Sequence, residues 1–198
     1  MAGKDLERLA SYVDALVRAE VHGHVLSREG FRDLSAEWEG EPSRGLFVTL
    51  RVGGELRGCI GSIEASDEVP ALAARMAREA LRDPRFLDRR VRPAELDRLT
   101  TEITLLDPPE EVEGPEDLEP GRDGVVCEFR GRRGVYLPQV AEETGWSPRV
   151  LVERCFQEKV GVPPGSWRLS GARIYRLRGR KASAGGGSRG AGDERGQE

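Results

Sequence analysis

Lysine is almost missing from this chain. Among 198 residues only Lys4, Lys159 and Lys181 carry an ammonium, and arginine supplies the rest of the 31 basic side chains. The bias fits a GC-rich genome and implies no mechanism. Cysteine is equally scarce. Cys59, Cys127 and Cys155 are odd in number and widely spaced, with no C-x-x-C pair. That excludes a disulfide framework or a zinc ribbon and fits a reduced, cytoplasmic protein. The only two histidines, His22 and His24, flank a glycine, with no third ligand nearby. A stable metal site needs three or four ligands, so no metal is expected. No run approaches the ~18 apolar residues of a membrane helix. Met1 to Leu9 mixes charges with no apolar stretch, so no secretory signal is expected. Positive charge is not in excess: 31 basic against 35 acidic groups leave a net −4, which disfavours nucleic acid as a partner. The arginines between Arg75 and Arg92 are interspersed with acids and read as a solvated face. No phosphate loop or dinucleotide fingerprint occurs, so no cofactor is expected.

What is present suits a folded body. Hydrophobic residues make up 37% of the chain and charged residues 33%, enough for a core beneath a heavily charged surface. Leu6, Leu9, Val13, Leu16 and Val17 recur every three or four residues and predict an amphipathic helix. Residues 27 to 44 read as a polar, turn-rich segment anchored by Phe31, Leu34 and Trp38. Phe47 to Val52 and Glu55 to Ile63 predict two strands joined at Gly53-Gly54. Asp67 is positioned to cap a helix that carries Pro70 in its first turn and stops near Asp83-Pro84.

Thr101 to Leu106 alternates like a strand, and Asp107 to Gly121 reads as an acidic, proline-rich loop. A second hairpin is expected from Val125 to Leu137 around Gly131, then a short helix at Pro138 to Thr144. Ser147-Pro148 opens a further helix running to Val160, and Arg173 to Leu177 reads as the last strand. Gly179 to Glu198 carries seven glycines and no large apolar residue, which predicts a disordered tail. The pattern predicts an α+β fold over residues 1–178, with antiparallel sheets and flanking helices.

The unusual stretch is Leu56-Arg57-Gly58-Cys59-Ile60-Gly61-Ser62. Two glycines in a strand signal a bulge, or close approach by a ligand or another backbone. Regular alternation would put Arg57, Cys59 and Gly61 on one face, and a cation beside a thiol raises its thiolate fraction. The structural alternative is a small buried cysteine that packs as a hydrophobe. Glu102, mid-strand, either faces the same cleft, to move protons or orient Arg57, or lies on a solvated outer face, which is the preferred reading. Arg85 in Asp83-Pro84-Arg85-Phe86 either clamps an anion or belongs to a helix stop. Cys127 and Cys155 read as core.

The six residues Leu56 to Ile60-Gly61 resemble a near-invariant stretch of the AMMECR domain family, whose prokaryotic members are called AmmeMemoRadiSam system protein A. The resemblance runs from about residue 5 to 178. It includes Phe47-Val48-Thr49-Leu50, Asp83-Pro84-Arg85-Phe86, the Glu102 strand with Pro108-Pro109, Leu137-Pro138-Gln139-Val140 and Gly145-Trp146. It departs at Asp123, where the family often has His. That makes a Cys–His mechanism less fitting here. The resemblance implies two small intertwined subdomains with the cysteine motif in a groove. It also implies two partners: a Memo-like protein and a radical SAM enzyme, in a pathway whose substrate is unknown.

Two readings of function follow. In the first, Cys59 is a nucleophile or carrier, Arg57 and Glu102 assist it, and Gly58, Gly61, Ser62, Arg85 and Gln139 contact substrate. In the second, the chain is a non-catalytic module that binds a peptide or ligand and docks onto a partner, with Cys59 inert and Arg57 paired to Glu102.

Overall fold

The computed structural model describes residues 5–26, 28–39, 41, 44–63 and 67–186, with the side chains of Arg28 and Gln139 left aside. The chain forms two compact units. The first holds the residues up to Leu105 and those from Lys181 on; the second runs from Leu106 to Arg180. The chain therefore leaves the first unit and returns to it. Each unit is built on one four-stranded sheet, so the fold is α+β.

In the first unit, helix α1 (Leu6–Val21) begins where the Asp5 carboxylate accepts the N–H groups of Glu7 and Arg8. Helix α2 (Arg28–Glu37) occupies the stretch expected to be turns. Leu34 and Trp38 are buried and Phe31 packs beside them; their spacings of three and four are helical, and the polar residues between them hide the period. Strands β1 (Leu46–Val52) and β2 (Glu55–Ser62) form the expected hairpin, with Gly53 and Gly54 at φ 58° and 89°. Helix α3 (Val69–Ala80) carries Pro70 in its first turn. Asp67 does not cap it; its carboxylate pairs with Arg75 instead. Strand β3 (Leu99–Leu106) completes the central pairings.

The strand order is β2-β1-β3-β8, and β8 is Gly179–Gly185. This corrects the expected tail: Gly179–Gly185 is a strand. Composition misled because backbone pairing with β3 orders it without large side chains, while Ala182 and Ala184 alternate onto the core. Residues 187–198 of the expected tail lie outside the described residues. Leu46, Val48, Leu50 and Val52 of β1, with Leu99, Ile103 and Leu105 of β3, are buried against α1 and α3. Each such side chain contributes ~1.5–3 kcal/mol by leaving water. On this face Thr101 donates to Asp14 at 2.8 Å, and Arg18 donates to the same carboxylate at 2.6 Å.

In the second unit the order is β4-β7-β5-β6. Strands β5 (Gly124–Phe129) and β6 (Arg132–Tyr136) form the second hairpin, and β7 (Ala172–Leu177) lies on β5's other side. The expected acidic loop contains strand β4 (Glu110–Val112), which pairs with β7. Helix α4 (Pro138–Thr144) ends at Gly145, φ 65°. Helix α5 (Pro148–Arg154) is capped by Ser147 and widens into a π-helical turn at Cys155–Val160. Among the described residues no helix is long and apolar enough to cross a membrane.

Candidate functional site

The hairpin turn fixes what opposes Cys59. Val52 pairs with Glu55 beside the turn, so uninterrupted counting would set Cys59 against Val48, on the face buried under α1 and α3. The register instead shifts between Leu50 and Arg51. Arg51 pairs with Leu56 and Leu50 with Gly58, which leaves Arg57 as an extra residue in β2. A one-residue bulge reverses the facing of all that follows. Gly58 and Ile60 turn to the core, and Cys59 turns to the opposite face, against Thr49.

Gly58 is needed there because a Cβ would overlap the Ala80 carbonyl at the end of α3. Gly61 is needed because the Phe47 ring lies where its Cβ would be. The chain's own close approach accounts for both glycines expected to contact substrate.

Cys59 is half-buried, whereas Cys127 and Cys155 are fully buried. The Thr49 hydroxyl donates to the Cys59 sulfur at 3.3 Å. On Thr49's other side its register partner is Glu102. Cys59, Thr49 and Glu102 therefore form a row across three strands on one face. Two strand spacings separate thiol and carboxylate, about 10 Å. Among the described residues Glu102 has no hydrogen-bond or ion-pair partner.

β2 is an edge strand, and its outer backbone groups need partners. At Cys59 they come from the turn after α3. The buried Asp83 carboxylate accepts the Cys59 N–H at 3.0 Å, and Arg85 Nη2 donates to the Cys59 carbonyl at 2.7 Å. With both groups directed outward, Cys59 and Thr49 are a non-hydrogen-bonded pair, whose side chains stand closest. Asp83 also accepts Arg85 Nε at 3.0 Å, Arg85 Nη2 at 2.7 Å and the Arg85 backbone N–H at 3.1 Å. The Arg85 hydrogen bonds, with help from the Cys59 N–H, outweigh burial and hold the Asp83 carboxyl at about 2. Asp83-Pro84-Arg85 thus acts as a substitute strand that grips the Cys59 peptide, and the outer guanidinium of Arg85 remains exposed.

Arg57 requires a correction. Its Nη1 pairs with Glu55 at 2.8 Å and its Nη2 with Glu95 at 3.3 Å, so its salt bridge is not to Glu102. As the unpaired residue of the bulge, Arg57 has no register partner on β1, and its guanidinium is engaged by these two carboxylates. The cation that reaches Cys59 is Arg85. Ser62 pairs with Leu46 at the far end of β2, on the face opposite Cys59. Gln139 lies on α4 in the second unit, and its side chain is outside the described ones. Thr49 escaped the sequence reading because the position of the bulge decides which β1 residue opposes Cys59, and the two glycines signal a bulge without fixing where it falls.

Asp123, where the resembled family often has His, is a buried anchor in the second unit. It accepts Arg178 Nε at 2.6 Å and the Glu119 N–H at 2.8 Å. The Asp123 carboxylate first, then the Glu119 carboxylate that accepts Arg178 Nη2 at 2.6 Å, pushes the Arg178 guanidinium's pKa up. His22 and His24 follow α1 with ring centroids 5.8 Å apart. Among the described residues no group of three or more His, Cys, Asp or Glu side chains is arranged to hold a metal.

Residues 10–182 match the AMMECR1 family model. A protein of Methanothermobacter thermautotrophicus is 42% identical over 142 residues, covering 68% of this chain and 72% of its own length. Protein MJ0810 of Methanocaldococcus jannaschii is 35% identical over 176 residues, covering 84% of this chain and 83% of its own. Among solved structures, the uncharacterized protein PH0010 from Pyrococcus horikoshii aligns with a TM-score of 0.63 at 26% identity, over 88% of this chain and 91% of that one.

Proposed function

This chain belongs to the AMMECR1 family, and we propose that it is a cytoplasmic enzyme component whose reactive group is the Cys59 thiol. The observation that carries this reading is the bulge at Arg57, which turns Cys59 out of the core and under the Thr49 hydroxyl. A cysteine kept only for packing gains nothing from that reversal. Thr49 donates a hydrogen bond to the sulfur and fixes where it stands. Asp83 and Arg85 hold the peptide still, so the sulfur meets an electrophile in one orientation. Glu102, about 10 Å across the sheet, handles a proton on a substrate that spans the gap. The step is attack of the thiolate on an electrophilic carbon of the substrate, with the leaving group departing as the carbon–sulfur bond forms.

The partners in this proposal are a Memo-like protein and a radical SAM enzyme, as the resemblance implies. The test is to incubate the chain with both and an extract of small metabolites, then follow its intact mass. An adduct on Cys59 that disappears in Cys59→Ser is the expected result. Partner binding that is equal in wild type and Cys59→Ser, with no adduct in either, would replace this reading with the adaptor one.

A further inference from the structure

The β5–β6 hairpin carries charge of one sign at its tip. Phe129-Arg130-Gly131-Arg132-Arg133 spans the turn, and the start of β7 brings Arg173 alongside. A cavity of about 520 Å³ opens there. Its lining sets four arginines against one glutamate, Glu128, in a chain whose net charge is −4.

Two of the four guanidiniums, those of Arg130 and Arg132, have no carboxylate partner among the described residues. Arg130 lies over the Phe129 ring, 5.0 Å from its centroid, and has no carboxylate partner among the described residues. Among the described residues Arg132 donates only to a neutral acceptor, the Gly161 carbonyl, at 3.2 Å. Arg133 stands 3.4 Å from Glu128, and Arg173 3.9 Å from Glu111, both at the long end of ion pairing. Glu128 is shared, since it also accepts the Tyr175 hydroxyl at 3.4 Å.

The backbone adds a second sign. Arg130 is the only non-glycine residue with positive φ among the described residues, at 51°, followed by Gly131 at 75°. Glycine or asparagine suits that turn position without strain, so an arginine there asks for a reason.

We propose that this cavity binds the phosphate group of a phosphorylated small molecule. Guanidinium forks match phosphate oxygens in pairs, and several around one concavity recognise more than a single charge. The site is a pocket at one hairpin tip rather than a long basic stripe, which favours a small ligand over a nucleic-acid backbone. It is separate from the Cys59 proposal and stands whether or not that thiol reacts.

The test uses the full chain and calorimetric titration with inorganic pyrophosphate and with ADP, at low salt. Saturable binding of pyrophosphate is expected, weakened at least about tenfold by Arg130→Gly and by the pair Arg133→Gln with Arg173→Gln. Arg130→Gly relieves the strained φ, so its melting temperature should not fall and lost binding cannot be ascribed to unfolding. ADP binding equal to that of pyrophosphate places recognition on the phosphates, and tighter ADP binding adds a nucleoside to the ligand. The proposal is overturned if pyrophosphate does not bind, or binds equally to the variants. It is also overturned if a single-stranded oligonucleotide needs these arginines while pyrophosphate does not compete with it.

Discussion

Cys59 and Cys127 both sit mid-strand in four-stranded antiparallel sheets, and they meet opposite fates. Cys127 lies on a central strand between β6 and β7, facing the core. A hydrogen bond with Cys155, together with burial, pushes its pKa far up and keeps it protonated. Cys59 lies on an edge strand, on the face away from the helices, with a hydroxyl on its sulfur and a buried carboxylate on its N–H. Residue type and secondary structure are the same in both. They differ in strand position, edge against centre, and in one extra residue in β2 that sets which face Cys59 takes. The comparison teaches that register, not composition, decides whether a strand cysteine is available for chemistry.

The comparison can be broken most severely at Gly58. Gly58→Ala drives a methyl into the Ala80 carbonyl, which cannot retreat without moving α3, so a loss above about 3 kcal/mol is expected in urea unfolding. Deleting Arg57 is the next strongest intervention. Without the extra residue Cys59 faces Val48 and the core, and its alkylation should fall to the level of Cys127 while the helical circular dichroism signal persists.

Asp83→Asn comes third, with an expected cost of about 1–3 kcal/mol from a weakened buried acceptor. The pH dependence has a definite sign. The folded-state pKa of Asp83 is depressed to about 2 by Arg85 and the Cys59 N–H. Its stabilisation is therefore complete above the ordinary carboxyl range near 3.8 and is lost as pH falls towards 2. Acid unfolding of wild type should show that component, and Asp83→Asn should lack it. The smallest effect is at Thr49. Thr49→Val removes one hydrogen bond to sulfur, so Cys59 alkylation should slow about fivefold with little change in melting temperature.

Much of this architecture was legible in the sequence, for reasons that differ by element. The spacing of Leu6, Leu9, Val13 and Leu16 marks α1 because a helix has only one way to bury them. Gly53-Gly54 marks the first hairpin because other residues resist those φ values. α2 was hidden because three anchors stand among charged residues, and β8 because its order comes from backbone pairing. At the site, Cys59 and Glu102 were legible as candidates, whereas the row they form through Thr49 was not. A bulge was among the readings of the two glycines, but its place at Arg57 was not legible. Thr49 and Asp83 were not, since each depends on a register or a turn that brings distant residues to one peptide.

The most direct measurement is the native alkylation rate of all three cysteines, resolved by peptide mass spectrometry across pH. The account predicts that Cys59 reacts in the folded protein, and more slowly in Thr49→Val, while Cys127 and Cys155 stay silent until unfolding. Equal silence of all three would contradict it, and would leave Cys59 a packing residue on a recognition surface.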